Sequence, residues 1–136
     1  MPKRRLTLRV RIPPYRHGRN AWRRALHAAV VERQRIRRVS YSAFDRLEVR
    51  VLLYMERRSL RSNDVDNRVK DVLDALQGRA GGPKRLHRLS PVVPNDRQIF
   101  KLTVEKALPP KQSKGLGFLL VRKYTAGRHR DQTVGG

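Results

Sequence analysis

The chain reads as a small α/β domain, a mixed sheet of about four strands carrying two main helices. Three observations predict it. Four segments show the apolar alternation or short apolar runs of strands, and two longer ones repeat apolar residues every three or four positions, as helices do. The strong turn formers, Gly and Pro, fall mostly between these segments.

Taken in order, residues 6 to 12, "LTLRVRI", alternate apolar and polar positions as a half-buried strand does. Pro13-Pro14 stops the strand, and a basic loop follows. A helix is expected from Asn20, with Asn20 as its N-cap. Its core-facing stripe is Trp22, Leu26, Ala29 and Ile36, interrupted by Arg33. Residues 46 to 55 read as a second strand, with Leu47, Val49, Val51 and Leu53 on one side. The second helix is expected from about residue 66 to 77. Val65, Val69, Val72 and Leu76 form its apolar seam, and Gly78 ends it. Residues 78 to 94 are too rich in Gly and Pro to specify regular structure. A third strand spans 97 to 106. Ile99 is out of phase with Leu102 and Val104 there, which predicts a β-bulge. A turn leads to a fourth strand, 116 to 124, and 125 to 136 read as a flexible basic tail, so that 1 to 124 form the one domain.

Of the 136 residues, 33 are Lys or Arg and 11 are Asp or Glu, for a formal net charge of +22. A polyanionic partner is the first inference, because basic side chains that neutralise phosphates release condensed counterions. No segment carries an apolar face suited to a membrane surface. The chain has no cysteine, which excludes disulfides, thiolate catalysis and Cys-based zinc sites. Its basic beginning lacks the apolar core of a secretory signal, so a cytoplasmic protein is expected.

Against that background the acids are unevenly placed. Asp64, Asp66, Asp71 and Asp74 fall within eleven positions, where an even spread would put about one. A structural account exists: Asn63 as a cap, carboxylates stabilised in a first helical turn, and an Asp66–Lys70 pair at i,i+4. On that account Asp71 is a solvated residue. A chemical account exists as well. With Asp64 in extended chain before the helix, Asp64 and Asp66 project to one side. Asp96, at the start of the third strand, would join them if strand start packs beside helix start, and Lys70, one turn from Asp66, would face the same pocket. Hard cations such as Mg²⁺ take oxygen ligands of this kind, and three carboxylates with a lysine suit metal-assisted phosphodiester hydrolysis.

The strings "NDVDNRVKDVLDAL" (63 to 76) and "NDRQIFKLTVEK" (95 to 106) together resemble the RusA family of Holliday junction resolvases. The matching positions are Asp64, Asp66, Asn67, Lys70, Asp74-Ala75-Leu76, Asp96, Gln98 and Lys106, and the likeness covers roughly residues 6 to 124. The resemblance implies a dimeric domain of bacterial or phage origin that binds branched, four-way DNA and resolves it by paired nicks, in recombination and repair. It implies Mg²⁺, with Mn²⁺ as a substitute, held by Asp64, Asp66 and Asp96, and a catalytic role for Lys70. The chain departs from the family pattern at Asn95, where a second acid is usual, and in a longer, more basic loop before Asp96.

Arg16, Arg19, Arg23, Arg61, Arg85 and Arg88 are candidate phosphate contacts. Trp22 is expected in the core, and the four histidines on the surface or against phosphate. Two other readings stay open: a non-enzymatic RNA- or DNA-binding protein, and a RusA relative that binds branched DNA without cutting it.

Overall fold

The computed structural model describes residues 6–15, 18–54, 64–80, 87–111 and 115–126. It is an α/β domain whose four-stranded mixed sheet has two helices on one face. The strands are β1 (Leu8–Ile12), β2 (Leu47–Tyr54), β5 (Ile99–Ala107) and β6 (Gly117–Lys123), and the helices are α1 (Arg19–Arg37) and α2 (Asp64–Leu76). Two short strands, β3 (Arg79–Ala80) and β4 (His87–Arg88), pair as a separate antiparallel ribbon.

The sheet order is β1-β6-β2-β5. β6 pairs antiparallel with both β1 and β2, whereas β2 and β5 run parallel. A parallel pair needs a crossover, and α2 lies in the one joining β2 to β5. Leu8, Val10 and Ile12 of β1, Leu47, Val49, Val51 and Leu53 of β2, and Leu119 and Val121 of β6 are buried. They meet Trp22, Leu26 and Val30 of α1 and Val72, Ala75 and Leu76 of α2. The expected bulge is present: Leu47 pairs with Ile99 and Glu48 with Lys101, which leaves Phe100 as the extra residue.

Several expectations are corrected. Gly18, not Asn20, occupies the N-cap position of α1, and Asn20 lies inside the helix. The buried side of α1 is Trp22, Leu26, His27 and Val30. At 100° per residue Ile36 falls about 100° round from the centre of that row, and it is 53% exposed. His27 is a core histidine, not a surface one, and its Nε2 donates to the Ser90 carbonyl oxygen at 2.7 Å. Trp22 is buried as expected, with Nε1 donating to the Pro13 carbonyl at 2.9 Å. The Gly/Pro-rich segment after α2 holds the β3–β4 ribbon and inserts Val92 and Val93 into the core. Of the other histidines, His17 and His129 lie outside the described residues, as does most of the expected tail. Among the described residues no helix is long and apolar enough to cross a membrane.

Gly78 ends α2 as expected, in the left-handed region at φ 76°. Its backbone is pressed against the next segment. Its N–H donates to the Ala75 carbonyl, and the Leu89 N–H donates to the Gly78 carbonyl at 2.7 Å. A Cβ there would stand 2.2 Å from the Leu89 carbonyl oxygen. Gly78→Ala is therefore expected to cost more than about 1 kcal/mol, the left-handed penalty for an L residue, plus the displacement of Leu89. Urea denaturation checks this, and an unchanged midpoint would contradict it.

Candidate active site

Register places Leu102, Val104 and Lys106 of β5 opposite Val49, Val51 and Leu53 of β2, so they share the helix-covered face. The helices do not extend fully over this edge strand. Leu102 stays 43% and Val104 37% exposed. The result is a groove of about 620 Å³ between α2 and β5. Leu102 and Val104 of β5 and Val69 and Leu73 of α2 are its apolar lining, and Lys70, Asp74, Gln77, Arg79, Asp96 and Lys106 complete it.

The helix wall follows from periodicity. Positions 69, 70, 73, 74 and 77 form one row at three- and four-residue spacing, while Val72, Ala75 and Leu76 face the core. Position 66 precedes Lys70 by one turn on that row. Asp64 and Asp66 belong to the first turn of α2, and their side chains lie outside the described part. Because the helix already begins at Asp64, positions 64 and 66 are about 200° apart round its axis. The expectation of two carboxylates projecting together from extended chain is corrected accordingly.

Asp96 enters from the strand side in a short 3-10 turn, Asp96–Gln98, and is exposed. Three hydrogen-bonded groups hold that turn. Asn95 Oδ1 accepts from the Arg97 N–H at 3.0 Å, and Gln98 Oε1 accepts from the Asn95 N–H at 2.9 Å. Gln98 Nε2 donates to the carbonyls of Ser42 and Asp45, both at 2.8 Å. Asn95 and Gln98 are thus a capping box that anchors the turn to the chain leading into β2. Asn95 needs no acidic character for this work. The N–H groups of Val92 and Val93 donate to the Leu76 carbonyl, so the segment leading to Asp96 is tied to the end of α2. Strand start beside helix start is corrected to strand start beside helix end. Lys70 and Asp96 meet only as walls of the same groove.

Behind the groove lies an ion-pair network. Asp71, expected in solvent, is fully buried. Its Oδ1 accepts from Arg19 Nε at 2.7 Å and from Arg23 Nη2 at 2.7 Å, while Arg68 Nη2 stands 3.4 Å from Oδ2. Arg23 Nη2 also reaches Asp74 Oδ2 at 3.1 Å, which ties the groove wall to α1. The hydrogen bond to Asp71 raises the pKa of Arg19 above its ordinary value. Arg68 lies over the Tyr15 ring, 4.1 Å from its centroid. Arg23, expected to contact phosphate, is turned into the fold with only 12% of its side chain exposed, and Arg19 keeps 44% exposed. Arg16, Arg61 and Arg85 lie outside the described residues, and Arg88 is placed only as backbone of β4.

Sequence reasoning matched Asp74 and Lys106 to a motif without placing them in the site, and it missed the buried role of Asp71. The available signal was Arg19 and Arg23 one turn apart on a helix, able to converge on a single partner.

Among the described side chains no three His, Asp or Glu converge as a ligand set, and those of Asp64 and Asp66 are not among them. The carboxylates placed at the groove are Asp74 and Asp96, and oxygen donors of that kind suit a hard divalent cation. No protein-family model, curated protein or solved structure matches the chain.

Proposed function

We propose that the α2–β5 groove is the active site of a divalent-metal-dependent, structure-selective endodeoxyribonuclease acting on branched DNA such as a four-way junction. One observation carries this reading: Lys70, on the helix that begins at Asp64, and Asp96, in the turn before β5, come from separate motifs and line one groove. The charge of +22 supports it by favouring a phosphate-rich substrate.

Mg²⁺ or Mn²⁺ would be held between Asp96 and Asp66, which stands one turn before Lys70 on the groove row, with Asp64 at the first residue of the helix as the third candidate ligand. Such an ion supplies Lewis acidity at a phosphoryl oxygen and an activated water for hydrolysis. The residues of the chain perform the remaining work. Lys70 places an ammonium where negative charge develops on the reacting phosphate. The capping box of Asn95 and Gln98 holds the Asp96 backbone at the groove. Arg23 draws Asp74 toward α1 and keeps the helix wall in register. Two such sites in a symmetric dimer would nick two opposed strands.

The deciding assay incubates the protein with a labelled four-way junction, with and without Mg²⁺. Metal-dependent nicks are expected, and binding without cutting under all conditions would return the protein to a purely nucleic-acid-binding role. Asp64→Asn is expected to abolish nicking while junction affinity stays equal or rises, since a negative charge beside phosphate is removed. Parallel loss of binding and cutting in a folded variant would instead make Asp64 structural. Salt should act strongly on binding: contact with about six to ten phosphates implies an affinity loss of about 10³–10⁵ between about 50 and 200 mM salt. A flat response in a filter-binding titration would count against a nucleic-acid partner.

A further inference from the structure

The other face of the sheet is covered by no described element. Register assigns it Arg9 and Arg11 of β1, Glu48, Arg50, Leu52 and Tyr54 of β2, Lys101, Thr103 and Glu105 of β5, and Phe118, Leu120 and Arg122 of β6. Two aromatic pairs stand at its opposite ends. At one, Tyr54 and Phe118 meet edge to face with centroids 6.1 Å apart, and the Arg11 guanidinium lies 5.9 Å from the Phe118 centroid. At the other, Phe100 and Tyr124 lie 5.4 Å apart, with Arg46 5.2 Å from the Phe100 centroid. Phe118 is 43% and Phe100 52% exposed.

The charges between the rings are strongly one-sided. Among the described residues Arg9, Arg11, Arg46, Arg50, Lys101 and Arg122 share this face with two acids, Glu48 and Glu105, whose partners are Arg122, Lys101 and Arg50. Arg122 Nε donates to Glu48 Oε1 at 2.8 Å, and Arg50 Nη2 lies 3.2 Å from Glu105 Oε1. A second copy of this face would set like charges against like. A duplex would satisfy the basic side chains but give the rings no function, because its base faces are already stacked. A single strand uses both, since unpaired bases stack on aromatic side chains while the phosphates follow the basic groups. The bulge at Phe100 contributes directly, because the extra residue joins a ring to Arg46 and Tyr124.

We propose that this face is a second nucleic-acid surface, one that takes single-stranded DNA by stacking bases on Phe118 and Phe100. By register Phe118 stands beside Leu52 and Phe100 beside the Leu47–Glu48 bulge, so the two rings lie about 15 Å apart along the strands, consistent with a site of a few nucleotides. The choice of DNA over RNA rests on the proposed nuclease reading. The stacking surface itself does not.

The test is fluorescence anisotropy in EDTA, so that cutting plays no part, with labelled oligo-dT of about 16 nucleotides and a duplex of equal length. Phe118→Ala and Phe100→Ala are each expected to weaken oligo-dT binding about tenfold and to leave duplex binding unchanged. Phe118→Tyr should retain affinity. Phe118→Leu keeps apolar bulk without a π-face, and it serves if the alanine variant melts early. Equal weakening of single strand and duplex would reduce the face to general electrostatics. Unchanged binding, tighter binding of oligo-U, or a change of oligomeric state on gel filtration would each overturn the proposal.

Discussion

Lys70→Ala is expected to slow single-turnover junction cleavage at least about a hundredfold, equivalent to about 2.7 kcal/mol of barrier. Lys70 is exposed, on the groove row of α2, and shares that groove with Asp96. As a helix-surface lysine it would contribute about 0.2–0.5 kcal/mol to stability through an i,i+4 pair and nothing to function. As a cation beside a reacting phosphate it acts where charge develops, and such a group is typically worth a few kcal/mol of barrier. Melting temperature and junction affinity should stay near wild type, because one lysine among 33 Lys and Arg adds little to the overall field. Lys70→Arg should rescue poorly, since a planar fork does not replace a compact ammonium. The readout is the cleavage rate of both variants at saturating Mg²⁺ and enzyme. A wild-type rate for Lys70→Ala would remove Lys70 from the mechanism.

The largest stability effect is expected at Asp71. Truncation to Ala removes the one carboxylate shared by Arg19, Arg23 and Arg68. Of these, Arg23 and Arg68 keep only 12% and 17% of their side chains exposed. A buried charge that loses its partner typically costs 3–5 kcal/mol, roughly, and that is the expected loss in urea denaturation. Asp74 remains near Arg23 and softens the penalty, whereas Arg68 Nε already lacks a hydrogen-bond partner in its buried setting. Combining Asp71→Leu with Arg23→Met should recover part of the loss, because it removes the more buried of the stranded cations, while Arg68 still lacks its carboxylate and keeps the recovery incomplete. A midpoint for Asp71→Ala within error of wild type would show that Arg23 and Arg68 do not depend on this carboxylate.

Much of the fold was legible in local pattern. Alternation located the strands of the sheet to within one or two residues. The 3.6-residue period located both helices, and the phase break at Ile99 announced the bulge that the pairing of Leu47 and Glu48 confirms. These features depend on which neighbours along the chain share a face, and the order of residues determines that directly. The stripe of α1 was less legible. Trp22, Leu26, Ala29 and Ile36 have the right spacing, yet the choice between Val30 and Ile36 depends on how the helix rotates against β1, which is a matter of packing.

The candidate site divides along the same line. The crowding of carboxylates on one short segment, and the pairing of Lys70 with a later motif, are properties of the sequence by itself. Tertiary structure alone decided three things. Asp71 is a buried anchor for two arginines of α1, Gln98 ties the turn that carries Asp96 to Ser42 and Asp45, and the strand start meets the end of α2. The physical reason is that burial and pairing belong to contacts made across the chain. Arg19 and Asp71 are 52 positions apart, as are Lys70 and Asp96 by 26, and no local periodicity carries a signal across such distances.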